Sequence, residues 1–191
     1  MSIANRTLTQ LRALRLTTMA EAYENQLQQP KLHEFGFDER LAMLVDQEQN
    51  ERESRKLKRL IRDAALPDRA SLEDIEFRPD RGLEKQIVAN LSSCEWIKRQ
   101  LNVIILGATG VGKTWLASAF GNQACRLRLP VMFYRASDLY EAISTSSLDG
   151  SLAKLKVSLE RPSLLIIDDF GLGNLTSPIS QVLLDVIDHR V

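Results

Sequence analysis

The segment from Gly107 to Thr114, GATGVGKT, constrains the fold of this chain more than any other. It matches the pattern GxxxxGK[ST] in full, a pattern that lets backbone N–H groups surround the phosphates of a nucleotide. An apolar run at residues 102–106 precedes it and predicts a buried strand, and a helical pattern at 113–127 follows it. Strand, glycine-rich turn and helix in this order are the context that a P-loop requires. The sequence therefore predicts a phosphate-binding loop made of Gly107, Ala108, Thr109, Gly110, Val111, Gly112, Lys113 and Thr114.

A second apolar run ends in two carboxylates. Residues 164–167 predict another buried strand, which Asp168 and Asp169 follow directly. In a parallel sheet, the carboxyl end of that strand is expected beside the loop that follows the first strand. Asp168 and the Thr114 hydroxyl are thus predicted to hold Mg²⁺, while Lys113 contacts the β- and γ-phosphates and takes part in catalysis. Asp169 is either a catalytic residue that orients the attacking water or a helper that orders Asp168.

Strands that alternate with helices indicate the fold class of the carboxyl-terminal half. The pattern predicts a strand at 131–134, a helix at 138–143, a polar loop at 144–151 and a helix at 179–189. Together with the two strands above, these elements imply βαβ units in one parallel sheet with flanking helices, an α/β domain.

The first third of the chain has a different, helical pattern. Apolar residues recur there every three to four positions, with a break at Pro30 and a second stripe that begins at Phe37. Pro67 is expected to end the second helical stretch. These patterns divide the chain into three predicted regions. They are a small all-α domain at 1–66 for contact with DNA or a partner, a linker and lead-in helix at 67–100, and the nucleotide-binding domain at 101–191.

The charge balance limits the possible partners. The chain has 25 basic and 25 acidic residues, so any affinity for DNA must come from a local patch. One candidate is a stripe of arginines at three- and four-residue spacing, which would follow a phosphate backbone or else form a solvated helix face. The stripe comprises Arg52, Arg55, Arg59 and Arg62. No run approaches the roughly 20 apolar residues of a membrane span, and no signal peptide is evident, so a cytoplasmic protein without membrane contact is expected.

Several segments together resemble one family. VIILGATGVGKTWLASAFGNQACRLRLPVMFYRASDLYEAI, followed by LLIIDDFGLGNL, is similar to the IstB family, the ATP-binding helper proteins of bacterial insertion-sequence transposons. LRALRLTTMAEAYENQL and IEFRPDRGLEKQIVANL resemble the helical domain of that family and its lead-in to the ATPase. The resemblance covers nearly the whole chain, and it implies an AAA+ ATPase fold.

The resemblance also implies a function. Proteins of that family bind ATP with Mg²⁺ between neighbouring subunits of an oligomer, engage double-stranded DNA and stimulate a transposase. The Walker A positions correspond to Gly107, Gly110, Gly112, Lys113 and Thr114, and the Walker B positions to Asp168 and Asp169. AAA+ ATPases usually carry glutamate where this chain has Asp169. Two alternatives stay open: a DnaC-like helicase loader that acts in DNA replication, and a small P-loop kinase that acts on a metabolite.

The chain departs from the family pattern at its carboxyl end. The family continues past a segment like DVIDHR into a strand with a polar sensor residue and then to an arginine that reaches the ATP of a neighbour. This sequence ends at Val191. The expectation is an AAA+ domain that is incomplete at its carboxyl end, with nucleotide binding better preserved than hydrolysis.

Overall fold

A computed structural model describes residues 2–77, 82–171 and 175–190 of the chain. The helices in this part are α1 Ile3–Ala13, α2 Thr17–Gln28, α3 Phe37–Ala64, α4 Lys85–Ser92, α5 Glu95–Lys98, α6 Lys113–Arg126, α7 Ala136–Asp149, α8 Leu152–Glu160 and α9 Ser177–Arg190. The strands are β1 Val131–Arg135 and β2 Leu164–Asp168, and short 3-10 turns lie at Pro30–Glu34 and Leu72–Asp74. The chain forms two compact units, Met1–Lys58 and Arg59–Val191, and the division falls within α3.

The first unit is helical, as the periodicity predicts. Leu8, Ala20, Ala22 and Leu44 are its buried apolar residues. Pro30 stands at the first position of the 3-10 turn that separates α2 from α3, so the predicted break falls at that proline. The helical pair α1 and α2 is joined by a tight turn in which Arg15 has a φ of 60°.

A buried carboxylate of α3 caps α2. The residue before α2 is Leu16, whose side chain has no oxygen to accept a bond from the first turn. The Oε2 of Glu48 accepts the Met19 N–H instead, at 2.9 Å, and its Oε1 accepts from the Arg52 Nε at 2.7 Å. Burial alone would raise the pKa of Glu48, but the bonds from Met19 and Arg52 outweigh it and hold the pKa below 4.5.

Acid is therefore expected to loosen the start of α2. Because the folded-state pKa of Glu48 lies below its unfolded value, its stabilising contribution is present above about pH 4.5. That contribution is lost as the pH falls through the folded-state pKa. Hydrogen exchange, corrected for intrinsic rates, should show Met19 losing protection on acidification in the native chain, whereas Glu48→Gln should show weaker protection with little pH dependence. Asp46→Asn, at an exposed position of the same helix, is the control; equal behaviour of the two variants would contradict the capping role.

The second unit is a sheet between two helical layers. β1 and β2 are parallel, with register from Val131 opposite Leu164 to Arg135 opposite Asp168, and α7 and α8 form the crossover between them. Side chains of one sheet face pack on α7, α8 and α9 through a buried cluster. The cluster comprises Ala136, Leu139, Tyr140, Ile143, Leu159, Ile179, Val182, Leu183 and Val186. An α/β fold with a parallel sheet is thus confirmed.

The opposite sheet face packs closely on α6 at a glycine. A Cβ added to Gly121 would lie 3.0 Å from the Ile166 Cδ1 and 2.8 Å from the Leu66 Cδ2. These distances are shorter than ordinary carbon contacts, so only glycine lets α6 approach β2 and the Leu66 side chain so closely. This approach holds the amino end of α6 near the carboxyl end of β2.

The predicted strand at 102–106 is wrong in this structure. These residues have no regular secondary structure, and Ile104 and Leu106 are 80% and 87% exposed. A strand requires a hydrogen-bonded neighbour, and within the described ranges β1 and β2 pair only with each other. The apolar run therefore has the composition of a buried strand without the partner that would make it one.

The predicted polar loop at 144–151 is also wrong, since α7 continues to Asp149. The hydroxyls of Ser144 and Ser147 donate to the carbonyls of Tyr140 and Ile143, so their polar groups are satisfied within the helix. Gly150, with a φ of 79°, ends the helix in the left-handed conformation that glycine adopts most easily. Among the helices of the described residues, none combines the length and apolarity needed to cross a membrane.

Candidate phosphate-binding site

The loop before α6 has backbone conformations that favour glycine. Gly110 and Gly112 have φ values of 83° and 94°, in the left-handed region that residues with a side chain rarely adopt. Gly112 stands directly before α6, whose first N–H groups lie at the positive end of the helix dipole. Residues 106–112 are all exposed, so a ligand can reach them. The arrangement is able to bind an anion at the start of α6.

Lys113 closes back over the loop. Its Nζ donates to the carbonyl oxygens of Gly107 and Ala108, at 3.1 and 2.9 Å. The ammonium group therefore lies against the first two residues of the loop in which the motif predicts the phosphates to bind. A charged donor placed there can pair with phosphate oxygens.

The two predicted motifs meet at one hydrogen bond. The Oγ1 of Thr114, in the first turn of α6, donates to the Oδ2 of Asp168, at the carboxyl end of β2, over 2.7 Å. The two residues are 54 positions apart in sequence, and only the folding of the α/β unit brings them together. A hydroxyl and a carboxylate side by side form an oxygen donor set of the kind that Mg²⁺ prefers.

The residue after β2 has an unusual backbone. Asp169 has a φ of 55°, a conformation that Asp adopts more often than most residues, and its side chain is exposed. Its position beside Asp168 is compatible with either role considered above, and a role in orienting water stays a prediction.

Arg135 is a cation near the loop that neither sequence motif predicts. This residue ends β1, is exposed and lies in register with Asp168, so its charge is at the same sheet edge as the loop. The signal was available, because a cation at the carboxyl end of a parallel strand faces the ligand side of the sheet.

The arginines of α3 have structural partners in the first unit. The Nε of Arg52 pairs with Glu48, and its Nη2 lies 3.4 Å from the carbonyl oxygen of Arg15. The Nε of Arg55 pairs with Glu51 at 2.9 Å, and its Nη2 donates to the Thr18 Oγ1. Both side chains are still more than half exposed.

The other two arginines belong to the second unit. The Nη2 of Arg62 pairs with Asp63 at 2.8 Å, on the exposed surface. Arg59 is exposed, and no ion pair links it to any residue in the described ranges. An exposed ion pair such as that of Arg62 with Asp63 contributes little to stability, so the arginine can exchange its carboxylate partner for another anion. The role of the four arginines in binding DNA therefore stays a prediction.

Fold and site together define this chain as a P-loop protein of the α/β class. A sequence model of the family described as "IstB-like ATP binding protein" matches residues 9–191. The chain belongs to that family.

The relatives that the chain resembles are proteins of bacterial insertion sequences. It is 41% identical over 185 residues to an ATP-binding protein of insertion sequence IS1162 from Pseudomonas fluorescens, an alignment that covers 96% of this chain and 80% of the relative. Two insertion-sequence ATP-binding proteins of Sinorhizobium fredii, y4pL and y4uH, are 34% and 35% identical over 188 and 184 residues. Those alignments cover 98% and 96% of this chain, and 77% and 74% of the relatives. The resemblance stated from the motifs is confirmed.

Proposed function

We propose that this chain is an ATP-binding helper of transposition, which binds double-stranded DNA in an ATP-dependent manner and assists a transposase in the cytoplasm. The observation that carries the proposal is the hydrogen bond between Thr114 and Asp168, because it joins the two motifs into one site. The names of the relatives support the transposition context over the helicase-loader alternative, since they are proteins of insertion sequences.

ATP binds, in this proposal, with its phosphates in the loop 107–114. The N–H groups at the start of α6 and the Lys113 ammonium neutralise the phosphate charge. Thr114 and Asp168 hold Mg²⁺, which shields the same charge when it is bound. Arg135 adds a positive charge at the same sheet edge.

DNA binding, in this proposal, is directed at the phosphate backbone. The chain has no net charge, so the contact must come from local cations, for which the exposed arginines of α3 are the candidates. Such contacts carry little base specificity and weaken with salt. ATP-dependent self-association, which the family resemblance implies, would bring several such cations onto one duplex.

The test of this function is fluorescence anisotropy of a labelled DNA duplex with ATP–Mg²⁺, with ADP and without nucleotide. We expect tighter binding with ATP–Mg²⁺ and a return to the nucleotide-free level in Lys113→Ala. Light scattering on the same samples measures self-association. Nucleotide binding with no change in DNA affinity or self-association would refute the DNA-binding helper and leave only a nucleotide-binding protein.

The metal assignment predicts the effect of a single isosteric change. Asp168→Asn keeps an oxygen that can accept from Thr114 but removes the charge that attracts Mg²⁺. In the native chain, Mg²⁺ should raise the affinity for ATP. In the variant, the factor by which Mg²⁺ raises this affinity should be about tenfold smaller, which corresponds to roughly 1.4 kcal/mol of binding free energy. Titration with a fluorescent ATP analogue, with and without Mg²⁺, measures it. Asp188→Asn, at an exposed position of α9, should keep the full gain; a full gain in Asp168→Asn as well would exclude the carboxylate as a metal ligand.

A further inference from the structure

Arg135 and Asp168 lie side by side on one face of the sheet. Met132 and Tyr134 pack on the buried cluster formed with α7, α8 and α9, so Arg135, the next residue of the strand, points to the opposite face. Its φ of −75° and ψ of 141° are extended, as this alternation requires. Asp168 points to the same face, because its hydroxyl partner Thr114 belongs to α6, which packs there. The register of the two strands pairs Arg135 with Asp168 directly.

The guanidinium of Arg135 has no partner among the residues that the structure describes. No ion pair or hydrogen bond joins its side chain to Asp168, Asp169 or Asp138 in those ranges, and it makes no capping bond to α7. Arg190, in contrast, donates to backbone carbonyl oxygens and so supports the fold. Arg135 is exposed, and an unpaired cation at an exposed position is available to an external anion.

The position of Arg135 relative to the phosphate site follows from the sheet. Neighbouring strands are about 4.8 Å apart, a spacing that the long side chain of arginine can span. In the proposed site, Thr114 and Asp168 hold the Mg²⁺ that joins the β- and γ-phosphates. The γ-phosphate is therefore expected at the carboxyl end of β2, one strand away from Arg135. ADP has no group at that position.

We infer that Arg135 pairs with the γ-phosphate and thereby distinguishes ATP from ADP. The inference rests on the proposed nucleotide site and adds the residue that recognises the third phosphate. The N–H groups of the loop and of the start of α6 surround phosphates that ADP also carries, so they discriminate less between the two nucleotides. The planar guanidinium matches a phosphate through two parallel, charge-assisted hydrogen bonds. The proposed ATP-dependent affinity for DNA requires a discrimination of this kind.

The test compares Arg135→Gln with the native chain in the binding of ATP and ADP. Both nucleotides, unlabelled and with Mg²⁺, displace a fluorescent ADP analogue, which gives the two dissociation constants and their ratio. Arg161→Gln is the matched control, because Arg161 is exposed, belongs to the same unit and follows α8 rather than a strand of the sheet. Circular dichroism and the ADP affinity together report whether each variant is folded.

Arg135→Gln should lose about tenfold in ATP affinity and less than about twofold in ADP affinity, because one charge-assisted contact to the third phosphate is removed. Arg161→Gln should keep both affinities. An unchanged ratio of the two affinities in Arg135→Gln would overturn the inference and leave the proposed nucleotide site standing. A native chain that binds neither nucleotide would overturn both.

Discussion

Replacing Lys113 by alanine is expected to weaken ATP–Mg²⁺ binding about 100-fold, with the fold intact. A hydrogen bond to a charged group contributes about 1.5–3 kcal/mol, and the ammonium group is placed to make more than one such bond to phosphate. The two carbonyls that Lys113 contacts in the structure lie in an exposed loop, so water can replace it there. Titration with a fluorescent ATP analogue measures the affinity, and circular dichroism measures the fold.

The control for that experiment is Lys85→Ala. Lys85 begins α4 and is exposed, so its removal takes away the same charge from the same unit without touching the loop. It should bind the nucleotide as the native chain does. If Lys113→Ala also bound with native affinity, the loop would not be the phosphate site.

Replacing Arg190 by methionine is expected to lower the free energy of unfolding of the second unit by about 2 kcal/mol. Its guanidinium donates to carbonyls at the end of α8 and in the turn before β2. The four acceptors belong to Leu159, Glu160, Pro162 and Ser163. Methionine keeps much of the apolar stem but leaves these partly buried oxygens without their donor.

Urea unfolding measures this loss through tryptophan fluorescence. Both tryptophans, Trp96 and Trp115, belong to the second unit, so the signal reports on that unit. His189→Ala is the control on the same helix, because His189 is exposed and lies 3.7 Å from its only described ion-pair partner, Glu160. That variant should change the free energy by less than about 0.5 kcal/mol. Equal losses in the two variants would show that the carbonyl contacts of Arg190 do not stabilise the unit.

The parts of the site that depend on local chemistry could be predicted from the sequence. The glycine pattern predicts a phosphate-binding loop before α6, and Gly110 and Gly112 in that loop have the positive φ that glycine adopts most easily. The apolar runs at 131–134 and 164–167 predict strands, and both strands are present and parallel. The meeting of Thr114 and Asp168 follows from the rule that the carboxyl ends of parallel strands share one edge.

The errors come from interactions that a local pattern does not contain. The run 102–106 has the composition of a buried strand, but a strand also needs a neighbour, and composition does not report whether one is present. The serines of 144–151 favour a loop by propensity, but hydroxyls that bond to carbonyls one turn earlier let α7 continue to Asp149. Arg135 belongs to no motif, and its place near the loop follows only from its register with Asp168.

The cap that Glu48 places on α2 has a consequence for how the chain folds. Glu48 follows Met19 by 29 residues, so the start of α2 emerges from the ribosome before the residue that caps it. A short isolated helix is only marginally stable in water, so α2 gains lasting structure only once α3 has formed and docked on it. The first unit should therefore form in a single step, and a nascent chain that exposes fewer than about 50 residues should keep α2 in rapid exchange with coil.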